Sequence, residues 1–283
     1  MNPHSHTIAC LGPEGSFSHE FAMAHFVGQA FHCVEGGFEE VLEQVENGSC
    51  SHAVIPFLNA NGRDVRPAQI ALGKNREWIH VDGCYAHLIR HNVVVTKKFQ
   101  TLLTLYSKEQ VFPQCSNWLS QWQDVKTISS TSTSAALRDL LDAPPQTQKT
   151  SGAICNSLAH ELYGGRIEFA GIQNPLNFTF FLCISKRPVS LEQSELLICL
   201  TCTTKECYKA TINEFAAAGF PLKFASLNGE FSKQMPCFLQ FKNSGPQDKL
   251  AKLLSSPHRK LVGVHSSDES LGSRVSELFD EDY

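Results

Sequence analysis

The sequence predicts an α/β protein in two parts: a larger domain built on a mainly parallel sheet, and a smaller ferredoxin-like βαββαβ domain. Three observations lead to this prediction. Short apolar runs alternate with polar loops and amphipathic helices over the first two thirds of the chain. A polar linker at residues 186–194 follows, and the order of strands and helices changes after it. The length of 283 residues is typical of about two domains, and 42% hydrophobic residues can form a sizeable core.

In the larger part, short apolar runs predict buried strands, and apolar residues at every third or fourth position predict helices. The predicted strands cover residues 7–11, 52–57, 89–96, 101–106 and 152–155, and the predicted helices start near residue 18 and cover 38–47 and 156–164. Ser107 is predicted to be a helix N-cap, with Gln110 three residues later. Residues 144–151 are predicted to form a loop.

Polar loops that follow the predicted strands are the first candidates for ligand binding. In parallel α/β sheets, ligands bind at the carboxyl ends of strands and near helix N-termini. The candidate loops are residues 12–18, 59–64, 107–110 and 129–134.

The smaller part has six elements that follow the βαββαβ order. Strands are predicted at 196–202, 222–227, 237–241 and 261–265, and helices at 207–218 and 247–254. Gly219 is placed to end the first of these helices. The last residues, from 268 on, form an acidic tail.

Composition argues against several classes of function. The formal net charge of −4 offers no basic face for nucleic acid, and no apolar run is long enough to predict a membrane span. The N-terminus lacks the pattern of a secretory signal, and eleven scattered cysteines indicate reduced thiols in a cytoplasmic protein. Cys199 and Cys202 would lie on opposite faces of a strand, so no metal site is expected.

Six segments, in order, resemble motifs of the prephenate dehydratase family. They are residues 11–18 (LGPEGSFS, family LGPEGTFS), 53–60 (AVIPFLNA, family VVPIENS), 89–91 (IRH), 132–136 (STSAA, a Ser/Thr-rich helix start), 161–164 (ELYG) and 177–181 (NFTFF, family NxTRF). The C-terminal βαββαβ order resembles the phenylalanine-sensing ACT domain of these enzymes.

The resemblance implies a two-lobed, periplasmic-binding-protein-like domain with its active site in the cleft. This domain would cover residues 1–187, with one lobe at about 5–88 and 167–187 and the other at about 89–166. An ACT-like domain would cover 194–268, and the acidic tail 269–283. The implied substrate is prephenate, a dicarboxylate with a ring hydroxyl, with neither metal nor organic cofactor. A homodimer or homotetramer through the ACT-like domain is also implied.

Several departures from the family motifs affect the expected chemistry. Thr179 is present, but Phe180 replaces the family Arg, which would clamp a carboxylate with two hydrogen bonds. Leu58 replaces the family Glu, and Ala60 replaces the family Ser. Arg63 follows closely and is either a substitute cationic clamp or a solvated loop residue.

The ACT-like part departs as well. Residues 205–208 read KECY where the family has PGAL, and residues 225–228 read ASLN where the family has ESRP. We therefore expect a packing and dimerisation unit with weak or no phenylalanine sensing.

These departures favour a non-aromatising prephenate decarboxylase of specialised metabolism, which releases carbon dioxide but keeps the ring hydroxyl, giving a dihydro-4-hydroxyphenylpyruvate. Loss of charged groups near the hydroxyl would suppress its departure. One alternative is a prephenate dehydratase in which Arg63 or Arg90 replaces the missing Arg. A second alternative is a catalytically inactive regulatory protein that binds a small acid.

The candidate site residues follow from the matched motifs. The predicted catalytic residues are Thr179, Asn177, Arg63 and Arg90. The predicted substrate-binding residues are Ser16, Phe17, Asn59, Ala60, His91, Ser132, Thr133, Phe178 and Phe180. Ser16, Ser132 and Thr133 have a second interpretation as helix caps, and His91, Phe178 and Phe180 have one as core residues.

Overall fold

A computed structural model describes residues 7–59, 63–74, 78–186, 195–200, 204–225, 237–256 and 258–266. The chain forms two compact units, the first from residues 1–37 and 87–179 and the second from 38–86 and 180–283. In the described ranges, no helix has the length and apolar character needed to cross a membrane. Three features of the sequence analysis lie outside these ranges: the part of the predicted linker after Lys186, the residue Cys202, and the acidic tail.

The elements are numbered along the chain. The strands are β1 Thr7–Leu11, β2 Ala30–Val34, β3 His52–Asn59, β4 Arg63–Asp64, β5 His80–Leu88, β6 Asn92–Val95, β7 Thr104–Ser107, β8 Lys126–Ser129, β9 Ser151–Cys155, β10 Arg166–Phe169, β11 Phe178–Ser185, β12 Glu195–Leu200, β13 Leu222–Ala225, β14 Cys237–Lys242 and β15 Arg259–Ser266. The helices are α1 Phe17–His25, α2 Phe38–Glu46, α3 Arg66–Gly73, α4 Val111–Gln114, α5 Ser116–Leu119, α6 Thr133–Asp142, α7 Pro145–Thr150, α8 Ser157–Tyr163, α9 Lys205–Ala217 and α10 Gln247–Leu254.

The first unit contains a sheet in the order β10-β6-β9-β7-β8 and the parallel pair β1–β2. Strand β7 runs parallel to both β8 and β9, while β6 is antiparallel to β9 and β10. Val93 and Val95 pack in one apolar cluster and Val94 packs in another. Burial of both faces explains why β6 is an unbroken apolar run rather than an alternating one.

The second unit contains strands in the order β13-β14-β12-β15-β5-β11-β3, with β4 paired to β3. Its last six elements follow the predicted βαββαβ order, and β12 lies between β14 and β15 with antiparallel pairing to both. This is the strand arrangement of a ferredoxin-like fold. Alternate residues of β12 enter its core, where Phe215 of α9 stacks on Phe241 of β14 with ring centroids 4.4 Å apart.

Several predicted elements are corrected by the structure. Ser107 is the last residue of β7 rather than a helix N-cap, because its hydroxyl donates to the Ile154 carbonyl at 2.9 Å. Residues 144–151 were expected to be a loop but contain α7, which starts with Pro145 at a position where helices tolerate proline. Strand β2, which the apolar pattern did not predict, has two exposed and two half-buried residues among its five and includes the polar His32. Gly219 does end α9, with a positive φ of 98°.

Candidate functional site

The loop between β1 and α1 is held by hydrogen bonds within itself. The Ser16 hydroxyl donates to the Leu11 carbonyl at 2.7 Å and accepts from the His19 amide at 3.2 Å, so Ser16 is the N-cap of α1. The Phe17 and Ser18 amides follow in the first helical turn, where no intrahelical acceptor precedes them. The loop can therefore offer backbone donors to an anion while the Ser16 side chain holds the helix start.

Gly15 shows why this loop needs glycine. Its φ is +74°, and an added Cβ would lie 3.1 Å from Ala159 Cα and 3.2 Å from Tyr163 Cε2. The Tyr163 hydroxyl donates to the Glu14 carbonyl at 2.8 Å. Helix α8, which carries the ELYG motif, thus packs directly against the loop that carries the LGPEGSFS motif.

Polar side chains also gather where the parallel strands of the first unit end. Asn156 follows β9 and caps α8, because its Oδ1 accepts from the Ala159 amide at 2.8 Å. Its Nδ2 is buried, with no hydrogen-bond partner among the described residues. Asn92, paired with Cys155 across the sheet, donates from Nδ2 to the Ser157 hydroxyl at 3.2 Å. The sequence placed a helix start at Asn156 but gave no signal for its buried amide.

The hydroxyl run after β8 leads into α6. Ser132 caps α6, since its Oγ accepts from the Ala135 amide at 2.9 Å. Thr133 and Ser134 are buried in the first turn of that helix. The Ser134 hydroxyl has no hydrogen-bond partner within the described ranges.

A buried network connects three segments of the first unit. His91 Nε2 lies 3.0 Å from Gln114 Oε1, and the same oxygen accepts from Asn177 Nδ2 at 2.9 Å. Because this oxygen is an acceptor, His91 carries its proton on Nε2. Burial lowers the pKa of His91 to about 4, so the ring is neutral at physiological pH. His91 therefore positions other residues and is not a cationic ligand, and its partner Gln114 was not found from sequence.

This network brings together residues from three of the matched motifs. The Phe17 and His91 rings meet edge-on, with their centroids 5.1 Å apart. The Ile89 amide donates to the Asn177 carbonyl at 2.8 Å. Arg90 is exposed and lies between Ile89 and His91 in the chain. Thr179 lies two residues beyond Asn177 in β11 and is only 8% exposed, and Phe178 between them is half-buried.

The remaining candidates lie in the second unit. Asn59 ends β3 and pairs with Arg63 of β4 in an antiparallel register, whereas Ala60 lies outside the described residues. Phe180 is 4% exposed and Leu58 is also buried, so both contribute to the core. The structure thus places Phe180 according to its packing interpretation.

In the described part of the chain, no group of three His, Cys, Asp or Glu side chains is arranged to hold a metal ion.

Comparison with known proteins gives a consistent family. The model of the family described as prephenate dehydratase matches residues 8–189. The bifunctional chorismate mutase/prephenate dehydratase of Escherichia coli K12 is 30% identical over 201 residues, which cover 68% of this chain and 50% of that protein. The enzyme of the same name from Buchnera aphidicola of Schizaphis graminum is 28% identical over 192 residues, covering 65% and 48%. The chain spans about half the length of these curated relatives.

Solved structures share the fold at low sequence identity. Prephenate dehydratase from Arthrobacter aurescens, solved with L-Phe, superposes with a TM-score of 0.75 and 19% identity, covering 92% of this chain and 90% of that one. GqqA, described as a novel type of quorum-quenching acylase, gives a TM-score of 0.73 and 16% identity, covering 94% and 99%. Identities this low show a common fold alone.

Proposed function

The chain belongs to the prephenate dehydratase family, and from that premise we propose that it is a lyase that converts prephenate to phenylpyruvate by joint loss of carbon dioxide and the ring hydroxyl. One observation carries this proposal. The Phe17–His91 contact, the Gln114 network and the Ile89–Asn177 hydrogen bond join segments that match the family at separate places in the chain. A network of this kind holds the matched residues in fixed positions.

The proposed roles follow from the chemistry of the substrate. Two carboxylates must be held, and the departing hydroxide must receive a proton or hydrogen bond. Thr179 is the hydroxyl donor in our proposal, because it is the retained member of the family's Thr-Arg pair. In our proposal the carboxylates are bound by Arg90, an exposed cation that follows Ile89 in the chain, and by the amides of the first turn of α1.

A non-aromatising decarboxylase, which the departures from the family motifs favour, is the second candidate function. The comparisons support the dehydratase better, since the relatives' names specify that activity. The observation that favours decarboxylation is the burial of Phe180 and Leu58, which supply no charge where the family has Arg and Glu. In the dehydratase proposal Arg90 supplies this charge. Arg63 stays a prediction for the same role.

Product analysis separates the candidates. The full chain would be incubated with prephenate, and the product identified by mass and ultraviolet absorption. We expect an aromatic product that has lost carbon dioxide and water. A product that keeps the ring hydroxyl would replace our proposal with the decarboxylase. Tight binding of prephenate without turnover would instead indicate the inactive regulatory protein.

Two pairs of variants test the proposed roles. Thr179→Val removes the hydroxyl and should lower kcat about 10- to 100-fold, the effect of losing one hydrogen bond to a developing charge, with Thr179→Ser retaining most activity. Arg90→Met should raise KM about tenfold, with Arg90→Lys intermediate. Arg166→Met, at another exposed arginine of the first unit, is the matched control and should have no effect. Equal effects of Arg90→Met and Arg166→Met would contradict the role of Arg90.

The organisation of the whole chain is also a proposal. We infer that the six C-terminal elements form an ACT-like packing unit, that the division at 1–187, 194–268 and 269–283 holds, and that the protein is a homodimer or homotetramer in the cytoplasm. Light scattering on the purified chain, with and without phenylalanine, tests the assembly. A monomer would contradict it.

A further inference from the structure

Two cysteines face each other across the first two strands. Cys10 of β1 is directly opposite Cys33 of β2 in the parallel register, and their sulfur atoms lie 3.6 Å apart. This distance permits a thiol hydrogen bond and is longer than the roughly 2.05 Å of a disulfide. Cys10 is 0% exposed, whereas Cys33 is partly exposed. A small reagent therefore reaches the Cys33 sulfur first.

His19 is held against this pair in a fixed orientation. The Gly15 amide donates to His19 Nδ1 at 3.1 Å, so that nitrogen is an acceptor and the proton lies on Nε2. The Phe31 ring meets the His19 ring at 5.8 Å. With Nδ1 occupied, Nε2 is the ring nitrogen left to donate to the Cys33 side chain, whose pKa the His19 side chain lowers.

The surroundings of Cys33 favour its thiolate. The hydrogen bond from Cys10 is the largest cause that holds the pKa of Cys33 well below a thiol's usual range, and the His19 side chain acts in the same direction. Burial and the Glu14 carboxylate oppose them. By contrast, burial raises the pKa of Cys115 and of Cys155 to about 12.

We propose that Cys33 is a nucleophilic thiol that reacts with hydrogen peroxide, and that Cys10 then forms a disulfide with it. In the first step the Cys33 thiolate attacks one peroxide oxygen, an S–O bond forms, the O–O bond breaks, and the released hydroxide takes up a proton to become water. In the second step the Cys10 sulfur attacks the Cys33 sulfenic acid, the S–S bond forms, and the hydroxide leaves with the Cys10 proton as water. Overall two thiols are oxidised and one peroxide is reduced to two waters.

The strand geometry allows the disulfide. Neighbouring strands lie about 4.8 Å apart, which falls within the roughly 4.4–6.8 Å between Cα atoms that a disulfide spans. The two sulfur atoms need to approach by about 1.5 Å, a shift that side-chain rotation can supply. This site adjoins the loop before α1, since His19 is hydrogen-bonded to Gly15 and Ser16, but its chemistry differs from the proposed lyase reaction and its test needs no turnover.

Alkylation rates test the nucleophile. Iodoacetamide would be added to the full chain over about pH 5 to 8, and each cysteine followed by peptide mass spectrometry. Cys207, which is partly exposed on α9, is the matched control. At the acid end we expect Cys33 to react about tenfold or more faster than Cys207, because an ordinary thiol is almost fully protonated there. Equal rates at the acid end would overturn the proposal.

Variants separate the contributions to this reactivity. Cys10→Ala should lower the acid-end advantage of Cys33 most, because the Cys10 hydrogen bond is its largest cause, and Cys10→Ser, which keeps an O–H donor, should preserve part of it. His19→Phe should lower the advantage less, and His19→Gln, which keeps an N–H donor, should preserve most of it. Cys115 and Cys155, which are buried in the first unit, should stay unreactive in each variant, which reports that this unit is still folded.

Peroxide treatment tests the disulfide. With equimolar hydrogen peroxide, we expect a Cys10–Cys33 cross-linked peptide that dithiothreitol reverses. Cys10→Ser should give no cross-link and a dimedone adduct on Cys33, and Cys207→Ser should behave like the wild type. Oxidation that spares Cys33, or that links it to a different cysteine, would refute the proposal.

Discussion

The two compact units bury polar side chains in different ways. In the first unit, His91, Gln114 and Asn177 form a network of neutral groups from three separate segments. In the second unit, the carboxylate of Glu195 is 1% exposed and is paired with the ammonium of Lys223 and the amide of Gln240, which donates to Glu195 Oε2 at 2.8 Å.

The comparison separates a positioning network from a structural one. Glu195, Lys223 and Gln240 lie on β12, β13 and β14, whose relative positions the sheet hydrogen bonds already fix. The neutral network instead joins the end of α4 to two segments outside helices and strands, which adjoin the exposed Arg90 and Thr179 in the chain. A buried polar group is therefore a better indication of a functional site when it joins loops than when it joins paired strands.

Among the substitutions that test this comparison, removal of Gln114 should lower the free energy of unfolding most. Gln114→Leu leaves two buried donors, on His91 and Asn177, without their acceptor, and should lower the free energy of unfolding by about 4 kcal/mol. Denaturation in urea would measure this. Gln44→Leu, at a half-exposed glutamine of α2, is the control and should cost less than about 0.5 kcal/mol. Similar losses in both variants would show that the network does not hold the first unit together.

The pH dependence of the free energy of unfolding should show that the buried His91 imidazole is neutral. The unfolded chain protonates His91 near 6.5, whereas the folded chain does so only near 4. Between these values the unfolded state binds more protons, so the free energy of unfolding falls as pH falls from 6.5 to 4, by on the order of 3 kcal/mol. His91→Gln keeps the N–H donor and should show a smaller acid loss.

Urea midpoints at several pH values would measure the difference between the two proteins. Burial also lowers the pKa of His25 and His80, but these groups titrate in both proteins and cancel in the comparison. Parallel pH curves for wild type and His91→Gln would contradict a neutral buried His91.

A substitution in the charged cluster of Glu195, Lys223 and Gln240 should change the free energy of unfolding least. Gln240→Leu removes one donor from Glu195 while Lys223 remains, and should cost about 1–3 kcal/mol. In a Glu195→Leu background the same substitution should be nearly neutral, since the buried acceptor is gone. Thermal denaturation of the wild type, the two single variants and the double variant would complete this double-mutant cycle. An additive result would mean that the amide of Gln240 contributes nothing through Glu195.

The sequence by itself determined several of the elements and, in the C-terminal part, their order. The apolar run of β6 predicted a strand buried on both faces, and the βαββαβ order after the linker matches the structure. These features depend on local periodicity and on the conformational preferences of residues such as Gly219, which a single sequence displays. Strand β2 escaped prediction because it is short, two of its five residues are exposed, and His32 interrupts its apolar residues.

Tertiary structure alone decided which polar groups meet. Gln114 is 63 residues from Asn177, and Cys10 is 23 residues from Cys33, so no local pattern signals either contact. Burial likewise decided that His91 is neutral and that Phe180 packs in the core. Desolvation and hydrogen bonding depend on every neighbour that the fold brings near a group, whereas periodicity depends only on neighbours along the chain.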